Sequence, residues 1–413
     1  MKKNQLFQIV ILFLGINLSL SCTTSGPDSS WEDLQNTQDV KCSKIEYTNS
    51  IIGVREVKAV DSRSGIFVEG IARSGKISYY EAPVGKYGPD SKLKRVKFTE
   101  KNLSGVERFI SGGNKYYAYV GEDLKVKVVT DTDSKVVEYP AFDEVSKCSE
   151  DEATIEGVKA QTSGGSVWIS VVSRCMDKLN MGVNLIDIGV GAVVKSFSQP
   201  GIWDSYNEWI VTDNGDLLVV TSSPEEEVSD FFIYKFTTDG LQENYSIKIK
   251  EHVENWSSIF KNGHLYLATV QGDSMVGEAT INVDKFKLET RIIQNQNNNK
   301  DKSIPTIQLK SGLTGGTSVP LAHLSAPVWL DKGTGLGVLL FKWLDNEATV
   351  GSYIVEENGS EGKNYSLTLK MVDLGVFPNG SKIEKTYMVD DKEFMVIKTQ
   401  SNYFGEYSVC RLN

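Results

Sequence analysis

The sequence predicts an all-β chain made of repeated sheet units, and three observations carry that expectation. Alanine, the strongest helix former, occurs only 13 times in 413 residues, against 36 glycines. Beyond the first twenty residues no long apolar pattern of helical period appears. Short runs rich in Val, Ile, Tyr and Phe recur instead, bounded by Gly, Asn, Asp and Ser. These runs are also evenly spaced. "SGIFVEGI" carries Gly65, "SGGNKYYAYV" Gly113, "TSGGSVWISVV" Gly165 and "TDNGDLLVVT" Gly215. "FKNGHLYLAT" carries Gly263 and "DKGTGLGVLLF" Gly333, with Asp391 of "VDDKEFMVIK" at the matching turn. The intervals are 48, 52, 50, 48, 70 and 58 residues.

Each unit reads as a strand, a tight turn, a stronger apolar strand and commonly a third strand, such as "LKVKVV" or "FFIYKF". Repeats of this period with four strands each predict a β-propeller, here of seven blades. The strong strands, "LLVV", "LYLA", "VLLF" and "FMVI", are continuously apolar rather than alternating. That fits blades stacked face to face, since alternation belongs to sheets with one wet face. A pair of β-sandwiches or a β-helix are the structural alternatives, and units of about fifty residues are too long for β-helix rungs. The 70-residue interval holds "NQNNNKDKS" and "KSGLTGGTS", polar pieces that read as an insertion near 294–318. The expected division is a signal peptide over 1–21, a flexible tether over 22–41 and the propeller over 42–413.

The N-terminus is Met1-Lys2-Lys3 followed by a 15-residue apolar segment, Leu6 to Leu20. A bilayer core needs about 20 residues, so this is a secretory signal rather than a permanent span. Ser19 and Ser21 are small enough for ordinary cleavage and plain secretion. With Ser21 before Cys22 and "TTSGPDSS" after it, the segment also resembles the signal of bacterial lipoproteins. It departs from that pattern at Ser19, where Leu is commonest. The resemblance implies that Cys22 carries several acyl chains, enough for lasting membrane attachment. It further implies the outer membrane, facing periplasm or cell surface, because Thr23 rather than Asp follows the cysteine.

With Cys22 lipidated, Cys42, Cys148, Cys175 and Cys410 remain, an even number for an oxidising compartment. The last unit ends three residues after Cys410, inside its third strand, and lacks an outer strand. "KCSKIEYT" at the start of the propeller is β-like and can supply it. Cys42 and Cys410 would then fall on adjacent strands, within disulfide reach. Cys148 and Cys175 form the second expected pair.

The mature chain would hold 42 basic against 54 acidic residues, which argues against nucleic acid as a partner. Three histidines without HxxxH or HExxH spacing, and no CxxC, give no zinc motif, and no cofactor or catalytic constellation is expected. Loops between the second and third strands of each unit should share one face, and they hold 12 acids against four bases. "WDSYNEW", "EHVENW" and "AHLSAPVW" lead into the innermost strands and would ring the channel mouth on that face. Propellers commonly bind ligands there, so Asp204, Tyr206, Asn207, Glu208, His252, Glu254, Asn255, Trp256 and His323 are the candidate ligand-binding residues. The expected function is a non-catalytic binding scaffold, tethered by lipid, for a protein or envelope polymer. The alternative is a carbohydrate-binding or glycan-hydrolysing propeller using the channel mouth, with tryptophans against sugar faces.

Overall fold

The computed structural model describes residues 41–46, 51–61, 65–84, 92–100, 103–132, 134–140, 153–175, 178–202, 207–224, 229–273, 278–288, 306–309, 313–320, 323–324, 326–331, 336–344, 347–360, 363–378, 381–389, 392–399 and 406–412. They form seven sheets, six built in chain order from the inner strand outward and the last completed on its outer edge by Lys41–Lys44. Sheet 1 covers residues 51–95, sheet 2 104–140, sheet 3 153–202 and sheet 4 207–249. Sheet 5 covers 253–287 with Leu313–Pro320, sheet 6 covers 323–378, and sheet 7 covers 381–412 with Lys41–Lys44. The innermost strand of each sheet touches its two neighbours, and the cycle closes from sheet 7 back to sheet 1. This is the β-propeller arrangement that the repeat predicted.

The turn glycines are needed where their backbones are left-handed and crowded. Gly65 has φ +75°, and a Cβ there would lie 2.0 Å from the Ala82 carbonyl oxygen. Gly215 has φ +83°, and its Cβ would meet Ser163 Oγ of sheet 3 at 2.5 Å. Its carbonyl instead accepts the Trp168 indole N–H at 2.8 Å and the Ser163 hydroxyl at 3.1 Å, docking the hairpin of sheet 4 onto sheet 3.

Continuous apolar strands follow from sheets covered on both faces. Leu217 and Val219 pack with Trp168 and Val183 of sheet 3, whereas Leu218 and Val220 pack with Leu265 and Leu267 of sheet 5. The same division recurs in sheet 1, where Phe67 faces Tyr117 of sheet 2 while Ile66 and Val68 face Val396 and Val409 of sheet 7. Each side chain buried in this way contributes about 1.5–3 kcal/mol.

Part of the stretch read as a polar insertion is sheet. Thr306–Gln308 adds a parallel fifth strand to the outer edge of sheet 4, and Leu313–Pro320 is the outer strand of sheet 5. An outer strand needs only one paired edge, so "LTGGTSVP", with its two glycines, serves there.

Ring closure is as expected. Lys41–Lys44 runs antiparallel to the last strand, with Cys42 opposite Cys410 and Ser43 opposite Val409. Cys42 and Cys410 form a disulfide across 368 residues of sequence. The Ile45 N–H donates to the Tyr407 carbonyl at 2.8 Å, and the Ile45 side chain is buried with Tyr407, Val409 and the core of sheet 1. The expected signal peptide, Cys22, the tether up to Val40 and Cys148 lie outside the described residues, as does the side chain of Cys175.

Cys42→Ser should therefore destabilise the protein by about 2–5 kcal/mol in urea unfolding, and Cys42→Ser/Cys410→Ser should cost no more than either single change. Equal stability of Cys42→Ser and the unaltered protein would show that the bond does not hold the ring.

Candidate functional site

The innermost strands carry most of the residues singled out at the channel mouth. Asp204 and Tyr206 lie outside the described residues; Asn207 and Glu254 stand on the innermost strands of sheets 4 and 5, and His323 on a two-residue strand of sheet 6. His252 is exposed just ahead of the innermost strand of sheet 5, and Asn255 is half-buried on that strand. Two members of the set stitch sheets 4 and 5 together. Glu208 is half-buried and accepts hydrogen bonds from the Ser258 backbone N–H and hydroxyl. Trp256 is 6% exposed, donates its indole N–H to Ser222 Oγ at 3.0 Å and meets Phe231 edge-on at 5.3 Å. Its ring is covered by protein.

Around Glu208 the structure assembles a group that the reading of the connections passed over. Glu56 and Lys58 of sheet 1, Glu107 of sheet 2, Lys159 of sheet 3 and Lys385 of sheet 7 all stand on innermost strands. Lys58 bridges Glu56 at 3.2 Å and Glu107 at 3.1 Å, and Lys385 reaches Glu56 at 3.1 Å. Lys159 feels Glu107, Glu208, Glu56 and Lys385, although sheets 3 and 7 are not neighbours in the ring. Influence across the ring places these groups near its axis. Three carboxylates thus face three ammonium groups, with Ser257 and Ser258 completing the set from sheet 5.

Burial works against the charges and pairing restores them unevenly. At Glu56 burial raises the carboxyl, but Lys385 and Lys58 outweigh it and hold the group below its ordinary value. At Glu107 burial prevails and the carboxyl is raised despite Lys58. Glu208 is likewise raised by burial, against the opposing hydrogen bonds from Ser258 and Ser257. Lys58 is lowered by burial but held above its ordinary value by Glu107, Glu56 and Glu69. Lys159 goes the other way: burial, with Lys385 adding to it, brings it from 10.5 down to about 8, and Glu107 and Glu208 only partly offset this.

A signal for this group does exist in the sequence. Glu107, Lys159 and Lys385 each precede their turn residue, Gly113, Gly165 and Asp391, by six positions, and Ser257 precedes Gly263 by the same step. Each pairs with the residue five positions beyond that turn: Ala118, Ser170, Val396 and Ala268. A polar residue at one repeat position marks a shared environment.

Of the acidic loops expected on the mouth face, the turn at 121–124 lies among the described residues, with Glu122 and Asp123 exposed. Lys127 neutralises part of it, contacting Asp123 at 3.2 Å and also pairing with Glu100. Residues 225–228, which include Glu225, Glu226 and Glu227, lie outside the described residues.

No protein-family model matches the chain, and no curated protein matches it. Among solved structures it is similar to the WD40 domain of SCAP from fission yeast, at 11% identity, covering 90% of this chain and 94% of that one, with a TM-score of 0.38. It is also similar to BBS1N in complex with ARL6DN, at 9% identity over 91% and 98% of the two chains, with a TM-score of 0.43. A third is Hsv2 of Kluyveromyces lactis, at 12% identity over 78% and 99%, with a TM-score of 0.32. At such identities and scores, the class rests on the sheet topology: a β-propeller with an ion-paired axis.

The axial amine sets a pH dependence. Lys159 is depressed in the fold, so between about pH 8 and 10.5 the unfolded chain binds more protons and stability rises with pH. Below that window both states are charged and the burial cost is fully present. Lys159→Met should remove this slope, so that its stability relative to the unaltered protein falls by about 1–3 kcal/mol from pH 7.5 to 10.5. Parallel curves for the two proteins would contradict the assignment.

Proposed function

We propose that the chain is an exported, lipid-tethered envelope protein whose propeller is a non-catalytic scaffold for a protein or envelope-polymer partner. The observation that carries this reading is the ring of sheets whose axial side chains are engaged with one another. Groups that pair among themselves hold the wheel together and leave its rims and loops for contact. Glu208, the carboxylate of the hydrolytic alternative, is engaged by Ser258, and the Trp256 ring is packed between sheets rather than open to a sugar. The tether follows from the residues around Cys22, and the acidic character of the partner-facing loops from their composition.

The anchor is tested by intact mass. Protein recovered from envelope membranes should exceed the mass of unmodified chain 22–413 by its acyl groups, and Cys22→Ser should move the protein to the soluble fraction. An unmodified mass in the membrane fraction would refute lipid attachment.

The scaffold face is tested separately. Reversing Glu225, Glu226 and Glu227 to lysine should reduce recovery of a partner from detergent-solubilised envelopes by at least about ten-fold, leaving the melting temperature unchanged. Undiminished recovery would move the contact away from these loops.

A further inference from the structure

A cleft of about 730 Å³ opens at the outer rim where sheet 1 meets sheet 2. That is within the range of small-molecule sites, roughly 300–1,000 Å³. It is built from the outer strands of sheet 1 and adjoins the acidic turn at 121–124, whose Glu122 N–H donates to Glu100 at 3.3 Å, but the cations on its other side give it the opposite sign. Lys76, Arg95 and Lys97 line it, all exposed, and none of the three makes an ion pair among the described residues. Arg95 and Lys97 belong to "KLKRVK", residues 92–97, four cations and no acid in a chain of net charge −10. Glu100, the acid in the lining, is already held by Lys127.

Ile77, Val96, Phe98 and Leu103 make up the apolar part of the wall. Ile77 is 46% exposed in the cleft, unusual for a large aliphatic residue in this chain. Phe98 is backed by edge-on contacts to Tyr79, Tyr117 and Tyr119 at 6.1, 5.3 and 5.5 Å, so its ring is held rigidly. A second kind of observation concerns Ser78: it lines the cleft and is 4% exposed, yet its buried hydroxyl has no hydrogen-bond partner. Natural folds seldom leave such a group unsatisfied, because it costs about 1–3 kcal/mol.

We propose that this cleft binds a small amphipathic anion, a carboxylate or phosphate carried on an apolar body. Arg95, Lys97 and Lys76 take the anionic group, while Ile77 and Phe98 cover the body. Neither half suffices alone: exposed lysines and arginines hold a free anion weakly in water, and an apolar body gains only the area that Ile77 and Phe98 cover. The body is a flat ring if Phe98 dominates the contact and an acyl chain if Ile77 does.

Calorimetric titration of the full mature chain separates these terms. The probes are 2-naphthoate, decanoate, the neutral 2-naphthalenemethanol and inorganic phosphate. At least one carboxylate should bind about ten-fold or more tightly than both the neutral alcohol and phosphate. Preference for naphthoate identifies a ring body, and preference for decanoate an acyl body. Arg95→Gln/Lys97→Gln, two exposed positions, should weaken the bound carboxylate about ten-fold with no change in melting temperature. Ile77→Ser should weaken all three organic probes and leave phosphate unchanged. Equal affinity for the alcohol, or full carboxylate affinity in the Arg95/Lys97 variant, would overturn the proposal.

Discussion

Leu217 and Val219 pack toward one neighbouring sheet while Leu218 and Val220 pack toward the other, and that two-sided demand organises the whole chain. An antiparallel sheet commonly leaves one face to water. Strands apolar at successive positions cannot, so every sheet must have a neighbour on each side. A linear stack would expose the outer faces of its first and last members; a ring has none to expose. The pairing of Lys41–Lys44 with the final strand completes that ring.

The architecture was legible because its causes are local or periodic. Turn residues at near-constant spacing and two-sided apolar strands each follow from chemistry within one unit or from the repeat itself. The axial charges were harder to see. Glu107 in "GVERFI" resembles any polar residue on the wet face of a strand, and only closure of the ring turns that face into an interior. Trp256 posed a similar problem, since an aromatic ahead of a strong strand can stack on a ligand or pack between sheets. The partner that decides it, Ser222, is 34 residues away. The parallel strand at Thr306–Gln308 depends on a long-range pairing with residues 244–246 that no repeat announces.

Gathering six ionisable groups on one axis, from half-buried Lys58 and Glu107 to the more exposed Glu56 and Lys385, is tolerable because neighbouring sheets answer each other's charges. Isolated buried ions cost several kcal/mol each, and their attraction offsets this only with close geometry. Lys58 meets that condition with contacts to carboxylates on its own sheet and on the next, while Lys159 meets it less well and shifts toward neutrality. The axis is therefore well paired around sheets 1, 2 and 7, and softer at sheet 3.

The position of Cys42, one residue inside the strand that closes the wheel, has a mechanical consequence. Tension applied to the residues ahead of Lys41 would otherwise peel an edge strand away one backbone contact at a time, the weakest direction in which a sheet can be loaded. Here the peeling front meets a covalent link after a single residue pair. Force then passes into the strand containing Cys410, which has partners along both edges, so the molecule hangs from its strongest seam rather than its loosest one.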